Sequence, residues 1–297
     1  MTRDLTGYGS EQINLTWPNK AKIAINFVIN YEEGAELTPL NGDTKAELYG
    51  SDFPFVPKGN AERNYSIESF YEYGSRVGIW RLIRLFDKYS IPLTFFVTGH
   101  ALILNPEFSG YLASHNHEVA GHGWRWIDYS KESKATEKKK HISRCIDTLQ
   151  ELTGQRPLGW YTGRRSPFTR DLLTQIGGFV YDSDSYADEL PYFINKHLVI
   201  PYSLDCNDFR FTISPGFVTA QDFYQRLKNT FDYLYQENRL SIMTIGLHPR
   251  LSGKPDRCHA LNEFLSYIRQ FQNIWIAKRI DIALYWLTKH TQIKQDL

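Results

Sequence analysis

The chain has little cysteine and little excess of charge, and it lacks any long apolar run. Its three cysteines, Cys145, Cys206 and Cys258, are odd in number and widely spaced. No CxxC pair or disulfide framework can be drawn from them, which fits a reducing compartment. Cys206 has no histidine beside it in sequence, so an ordinary buried thiol accounts for it better than a nucleophile. No stretch approaches the roughly 18 apolar residues of a membrane span. The start, Met1-Thr2-Arg3-Asp4-Leu5-Thr6-Gly7-Tyr8, is polar where a secretory signal would be apolar, so a cytoplasmic location is expected. Lys and Arg number 34 against 33 Asp and Glu, a net charge of +1. That balance gives no broad footprint for nucleic acid or an anionic membrane. The one dense basic run, Glu137-Lys138-Lys139-Lys140, reads as the solvated face of a helix. Repeats, low-complexity tracts and Gly/Ser/Pro-rich linkers are missing too, so residues 1–297 are expected to form a single domain.

What is present is core material: 42% of the 297 residues are apolar and 15% aromatic. Short apolar runs at 23–29, 93–98, 117–122, 158–162, 179–182, 198–202, 241–247 and 274–277 read as strands. Most are continuous rather than alternating, as in strands covered on both faces. Between them Val77, Trp80, Ile83 and Phe86 recur at helical spacing, as do Ile142, Cys145, Ile146, Leu149 and Leu152. Tyr224, Leu227, Phe231 and Leu234 make a third stripe, and Leu261, Phe264, Leu265, Ile268 and Phe271 a fourth. All four stripes are expected in the core. Strand–helix alternation predicts an α/β fold of parallel units, best fitted by a single closed or nearly closed (β/α) barrel. Residues 38–66 are turn-rich and polar and predict a long excursion after the first strand. Such a segment can cover a site, mediate assembly or be a plain surface loop.

In a β/α barrel the chemistry collects at the C-terminal ends of strands. The first strand runs into Asn30-Tyr31-Glu32-Glu33-Gly34, where two adjacent acids can push one pKa upward and so supply a general base. A later end gives Gly121-His122-Gly123-Trp124-Arg125-Trp126, a histidine among aromatics. Another gives Tyr161-Thr162-Gly163-Arg164-Arg165, in which Arg164 can reach a small polar ligand or make a structural salt bridge, and Arg165 reads as exposed. Further ends deliver Asn207 and Asp208, then Leu247-His248-Pro249-Arg250. His248, directly after an apolar strand, is the best general-acid candidate.

Taken in order, these segments resemble the motifs of the polysaccharide deacetylase (NodB-like) superfamily, whose fold is a distorted, often seven-stranded (β/α) barrel. That resemblance aligns Glu32 with the family's catalytic base and Glu33 with its metal-binding acid. It places His122 and Trp126 on the metal-binding His-x-x-x-His pair, and Leu247-His248 on the Leu-His motif. Trp126 offers no lone pair to a metal, and Glu33 with His122 falls short of three protein ligands. The departures resemble one subgroup, the cofactor-independent allantoinases. Phrases such as Arg3-Asp4-Leu5-Thr6-Gly7-Tyr8-Gly9, Tyr71-Glu72-Tyr73-Gly74-Ser75-Arg76 and Lys278-Arg279-Ile280-Asp281-Ile282-Ala283 extend that similarity over nearly the whole chain.

The resemblance implies hydrolysis of a ring amide in allantoin to give allantoate, with no cofactor and no metal. Glu32 or Glu33 would activate water, His122 would orient it, and His248 would protonate the departing nitrogen. Trp126, Tyr161, Arg164, Asn207, Asp208 and Arg250 would hold the cyclic ureide and its developing oxyanion. A homo-oligomer, a tetramer, is also implied. Three rivals stand beside this reading: a hydrolase of another cyclic imide or hydantoin, a metal-dependent deacetylase of peptidoglycan or chitin-like sugar, and a catalytically dead barrel serving as a binding module.

Overall fold

A computed structural model describes residues 3–10, 13–52, 63–130, 135–164, 167–237 and 239–296. Strand β1 (Ile23–Tyr31) is followed by helix α1 (Tyr65–Tyr73), a π-helical turn (Gly74–Gly78) and α2 (Ile79–Lys88). Then come β2 (Leu93–Val97), α3 (Gly99–Leu104), α4 (Pro106–Ser114), β3 (Glu118–Gly121), α5 (Ala135–Thr153) and β4 (Gly159–Trp160). The chain continues through α6 (Thr169–Ile176), β5 (Tyr181–Asp182), β6 (Tyr192–Ile194), β7 (His197–Val199) and α7 (Ala220–Glu237). It ends with β8 (Ser241–Leu247), α8 (Pro249–Ser252), α9 (Pro255–Ile268), β9 (Ile274–Ile276) and α10 (Arg279–Asp296).

The strands form one curled sheet in the order β6-β7-β5-β4-β3-β2-β1-β8, with β9 also on β1. Every ladder is parallel except β6–β7. Strand β1 is central: β8 lies along one edge, while β9 and β2 share the other, at Ile23–Ile25 and Phe27–Tyr31 respectively. All nine of its residues are buried, as a strand covered on both faces requires. Its alternation divides the core. Ile23, Ile25, Phe27, Ile29 and Tyr31 pack outward among the helices. Val28 points inward, with Phe96, Ala120, Tyr161 and Tyr202. Since successive side chains alternate, the same parity carries Asn30 and Glu32 to the barrel's inner mouth.

This is the curled (β/α) barrel expected from the sequence, but the strand count differs from the seven that the resemblance implied. Nine strands are described; the apolar runs give eight of them, β7 included, and miss only β6, the first strand of the β6–β7 hairpin. That strand is only half-buried, and the hairpin's turn uses Asn195 and Lys196 at φ 48° and 69°, the left-handed pair of a tight hairpin. Between β7 and β8 the curl is completed by Asn207, which bridges to Gly246, whose N–H donates to the Cys206 carbonyl. The fully buried Arg279 braces this seam from inside: its guanidinium donates to the Ile200 and Pro201 carbonyls, Ser183, Asn26 and Thr244.

Two local expectations need correction. Lys138 is no solvated residue but is 1% exposed, its ammonium 4.4 Å from the Tyr129 ring centre and 3.4 Å from Thr162 Oγ1. The helix carries it on the face that meets the sheet, which a run of like charges conceals. Val77 is exposed rather than core; the π-turn adds a residue to the turn and breaks the 3.6-residue register there. Of the expected excursion at 38–66, residues 53–62 lie outside the described ones. The part before them folds back over the barrel mouth, burying Glu36, Thr38 and Glu47. No helix among the described residues is long and apolar enough to cross a membrane.

Candidate active site

Glu32 is the hub. It is 1% exposed, and both its oxygens are engaged. Oε1 lies 2.9 Å from His122 Nε2 and 3.7 Å from His248 Nε2, while Oε2 accepts from Arg250 Nη2 at 2.7 Å. Burial opposes its charge, but Arg250, His248 and His122 together overcome that and hold the carboxyl well below the usual range. Glu33 points the other way. Its Oε2 accepts the Glu32 N–H at 2.9 Å and its Oε1 stands 3.4 Å from Arg250 Nη1. Burial, with the Glu32 charge adding to it, pushes Glu33 up against the pull of Arg250. Adjacent acids are thus driven apart, the pattern that separates roles in carboxylate chemistry.

The two histidines are oriented from behind. His122 Nδ1 lies on the Tyr161 carbonyl, so that nitrogen carries a hydrogen and Nε2 is the one turned to Glu32. His248 Nδ1 sits 2.6 Å from Asp208 Oδ1, and Asp208 Oδ2 accepts the His248 and Ser252 N–H groups at 2.7 and 3.2 Å. Fully buried, Asp208 fixes the ring of His248 and leaves its Nε2 facing Glu32. It does not line the cavity, so the structure places it behind the histidine rather than on a ligand.

In front of these groups lies a cavity of 510 Å³ lined by Asn30, Glu32, Trp126, Tyr161, Arg164, Asn207, Phe209 and His248, among others. That volume suits a small ligand. Trp126 forms a flat wall, with the Arg164 guanidinium carbon 3.7 Å from its ring centre and Phe209 edge-on at 6.2 Å. Arg164 realises both readings of it: it lines the cavity, and its Nη2 donates to buried Glu47 at 2.8 Å. Asn207 is fixed by Tyr202 and the Phe209 N–H. Arg165 lies outside the described residues.

Arg250, expected on the substrate, is 0% exposed and stays behind the carboxylates. Sequence reasoning also missed Glu36, Glu47, Tyr202 and Gly74. A Cβ on Gly74 would stand 2.5 Å from Glu33 Oε1, so the bare backbone there makes room for the acid. The quoted Tyr-Gly-Ser phrase held that signal, but only the fold shows what the glycine faces.

The donors do not fit the metal that the fold family implies. Glu33 has one oxygen on a backbone N–H and the other against a guanidinium, His122 has both nitrogens engaged, and Trp126 is a donor only. Among the described residues no group of three or more His, Cys, Asp or Glu is placed to hold a metal ion.

A curled, mostly parallel sheet with acids and histidines at its C-terminal mouth is the setting in which the comparisons with known proteins find a deacetylase-type fold. Residues 60–176 match the family model described as polysaccharide deacetylase. A Schizosaccharomyces pombe protein named "putative polysaccharide deacetylase" is 37% identical over 97% of this chain and 98% of its own. The chain belongs to the polysaccharide deacetylase family. Among solved structures, that of Puue allantoinase is similar at 45% identity and TM-score 0.93, covering 98% of each chain. A Pseudomonas aeruginosa structure described as a probable polysaccharide deacetylase is similar to the same degree, at 45% and 0.93 over 98% of this chain and 99% of that one.

Proposed function

We propose that this chain opens the ring amide of allantoin, giving allantoate, without a metal. The observation that carries the reading is Glu32 Oε1 set between His122 and His248 at the floor of a small, aromatic-walled cavity. Glu32, not Glu33, is the acid that reaches the cavity. A water there, held by the ionised Glu32 Oε1 and by His122, attacks the ring carbonyl carbon. Because Arg250 and the histidines keep that carboxyl a weak base, the water proton passes to Glu32 only as the new C–O bond forms and the water becomes acidic. The carbonyl oxygen takes up negative charge beside Arg164 and Asn207. His248, held by Asp208, gives its Nε2 proton to the ring nitrogen as the C–N bond breaks. The 3.7 Å separation of His248 Nε2 and Glu32 Oε1 is the path by which the proton taken from water returns to the histidine.

Likeness to an allantoinase supports this choice of substrate; the equal likeness to a structure called a deacetylase names the rival, a metal-dependent deacetylase, against which the donor set argues. The deciding experiment is turnover of racemic allantoin by purified protein with and without a strong chelator. Equal allantoate in both supports the proposal. Loss of activity with the chelator sinks the metal-free mechanism, and inactivity in both directs attention to other cyclic amides.

A further inference from the structure

We infer that Arg250 is the resident cation of this site, a guanidinium standing where this fold would otherwise hold a metal ion. Its side chain is fully buried and enters from α8, directly after His248. One face meets two carboxylates, Glu32 Oε2 at 2.7 Å and Glu33 Oε1 at 3.4 Å, and Nε donates to the Gly50 carbonyl at 2.5 Å. Its carbon lies 4.3 Å from the Tyr71 ring centre and 5.6 Å from that of Trp126, so aromatic faces complete the cage. Two buried acids side by side require a counter-charge. A metal would take it through lone pairs that Trp126 does not have; a planar, permanently charged group with five donors takes it through N–H bonds to the oxygens themselves. Arg250 is therefore a positioning residue: it holds Glu32 ionised and aimed, and it does not touch the substrate.

The cage should accept guanidinium as a free ion once the side chain is removed. Full-length wild type, Arg250→Ala, Arg250→Lys and Arg250→Met are melted in buffer, in 10 mM guanidinium chloride and in 10 mM urea, the neutral analogue of the same shape. The thermal midpoint of Arg250→Ala rises by about 2 °C or more with guanidinium alone, and wild type does not respond. Arg250→Lys melts above Arg250→Met, because it keeps the charge; that order decides the matter even if Arg250→Ala does not fold. Equal responses to guanidinium and urea, no response in a folded Arg250→Ala, or Arg250→Met melting at or above Arg250→Lys would overturn the assignment. So would uptake on dialysis of one Zn²⁺ per wild-type chain that Glu33→Gln abolishes.

Only the activity arm rests on the allantoin reading. Arg250→Ala should lose about 100-fold or more in turnover and recover part of it with guanidinium. If wild type too leaves allantoin untouched while the melting pattern holds, the substrate is wrong and the resident cation stands.

Discussion

Glu32 and Glu33 are neighbours in the chain with opposite titration, and their substitutions separate their roles. Glu32→Gln keeps the size but loses the proton acceptor beside the cavity, so kcat should fall about 100-fold or more with little change in KM. A steady-state comparison with Glu33→Gln checks it: a larger fall in Glu33→Gln than in Glu32→Gln would return the base to Glu33. Glu36 makes a different prediction. Burial raises its carboxyl to about 7, although the Gly34 N–H and Arg250 pull it down. A raised acid favours folding while protonated, so its contribution is full below about 4.5 and lost as pH climbs to about 7. Glu36→Gln stays neutral and can still accept the Gly34 N–H. Its thermal midpoint relative to wild type should therefore improve between pH 5 and pH 8, by about 1–3 kcal/mol in stability; an unchanged difference across that range would refute this.

At the scale of elements, the strands that carry the site were legible because continuous apolar runs end in polar residues, as in β1, β3 and β8. Glu32, His122 and His248 stand at those ends. What was not legible depends on contacts across the chain. Asp208 reads as one more polar residue until its partner 40 positions on is seen, and Arg250 joins acids 217 and 218 positions away. Lys138 was misread since periodicity reports hydrophobic residues and is silent about a lysine that burial forces neutralward, to about 8. The π-turn was invisible for a similar reason, as spacing assumes a regular helix. Its glycine gives an element-scale prediction. A Cβ at Gly74 would lie 2.5 Å from Glu33 Oε1 and 2.8 Å from the Arg250 N. Gly74→Ala should cost about 1–3 kcal/mol by denaturation and lower turnover as well. Stability and turnover both at wild-type level would mean that the turn yields freely.

On the scale of the whole molecule, the barrel fold was readable from strand–helix alternation, whereas the manner of closure was not. The segment after β7 meets β8 through an isolated bridge at Asn207 and a brace rather than through a ladder. Replacing Arg279 with Met would strand five acceptors. The predicted loss is about 3–5 kcal/mol in chemical denaturation; a loss below about 1 kcal/mol would show that the seam needs no brace.

That brace comes from the first residue of the last helix. Arg279 thereby ties the start of that helix to β1 through Asn26, to β8 through Thr244 and to the segment after β7 through the Ile200 and Pro201 carbonyls. The first turn of the helix and the closure of the sheet should therefore come apart together rather than one before the other.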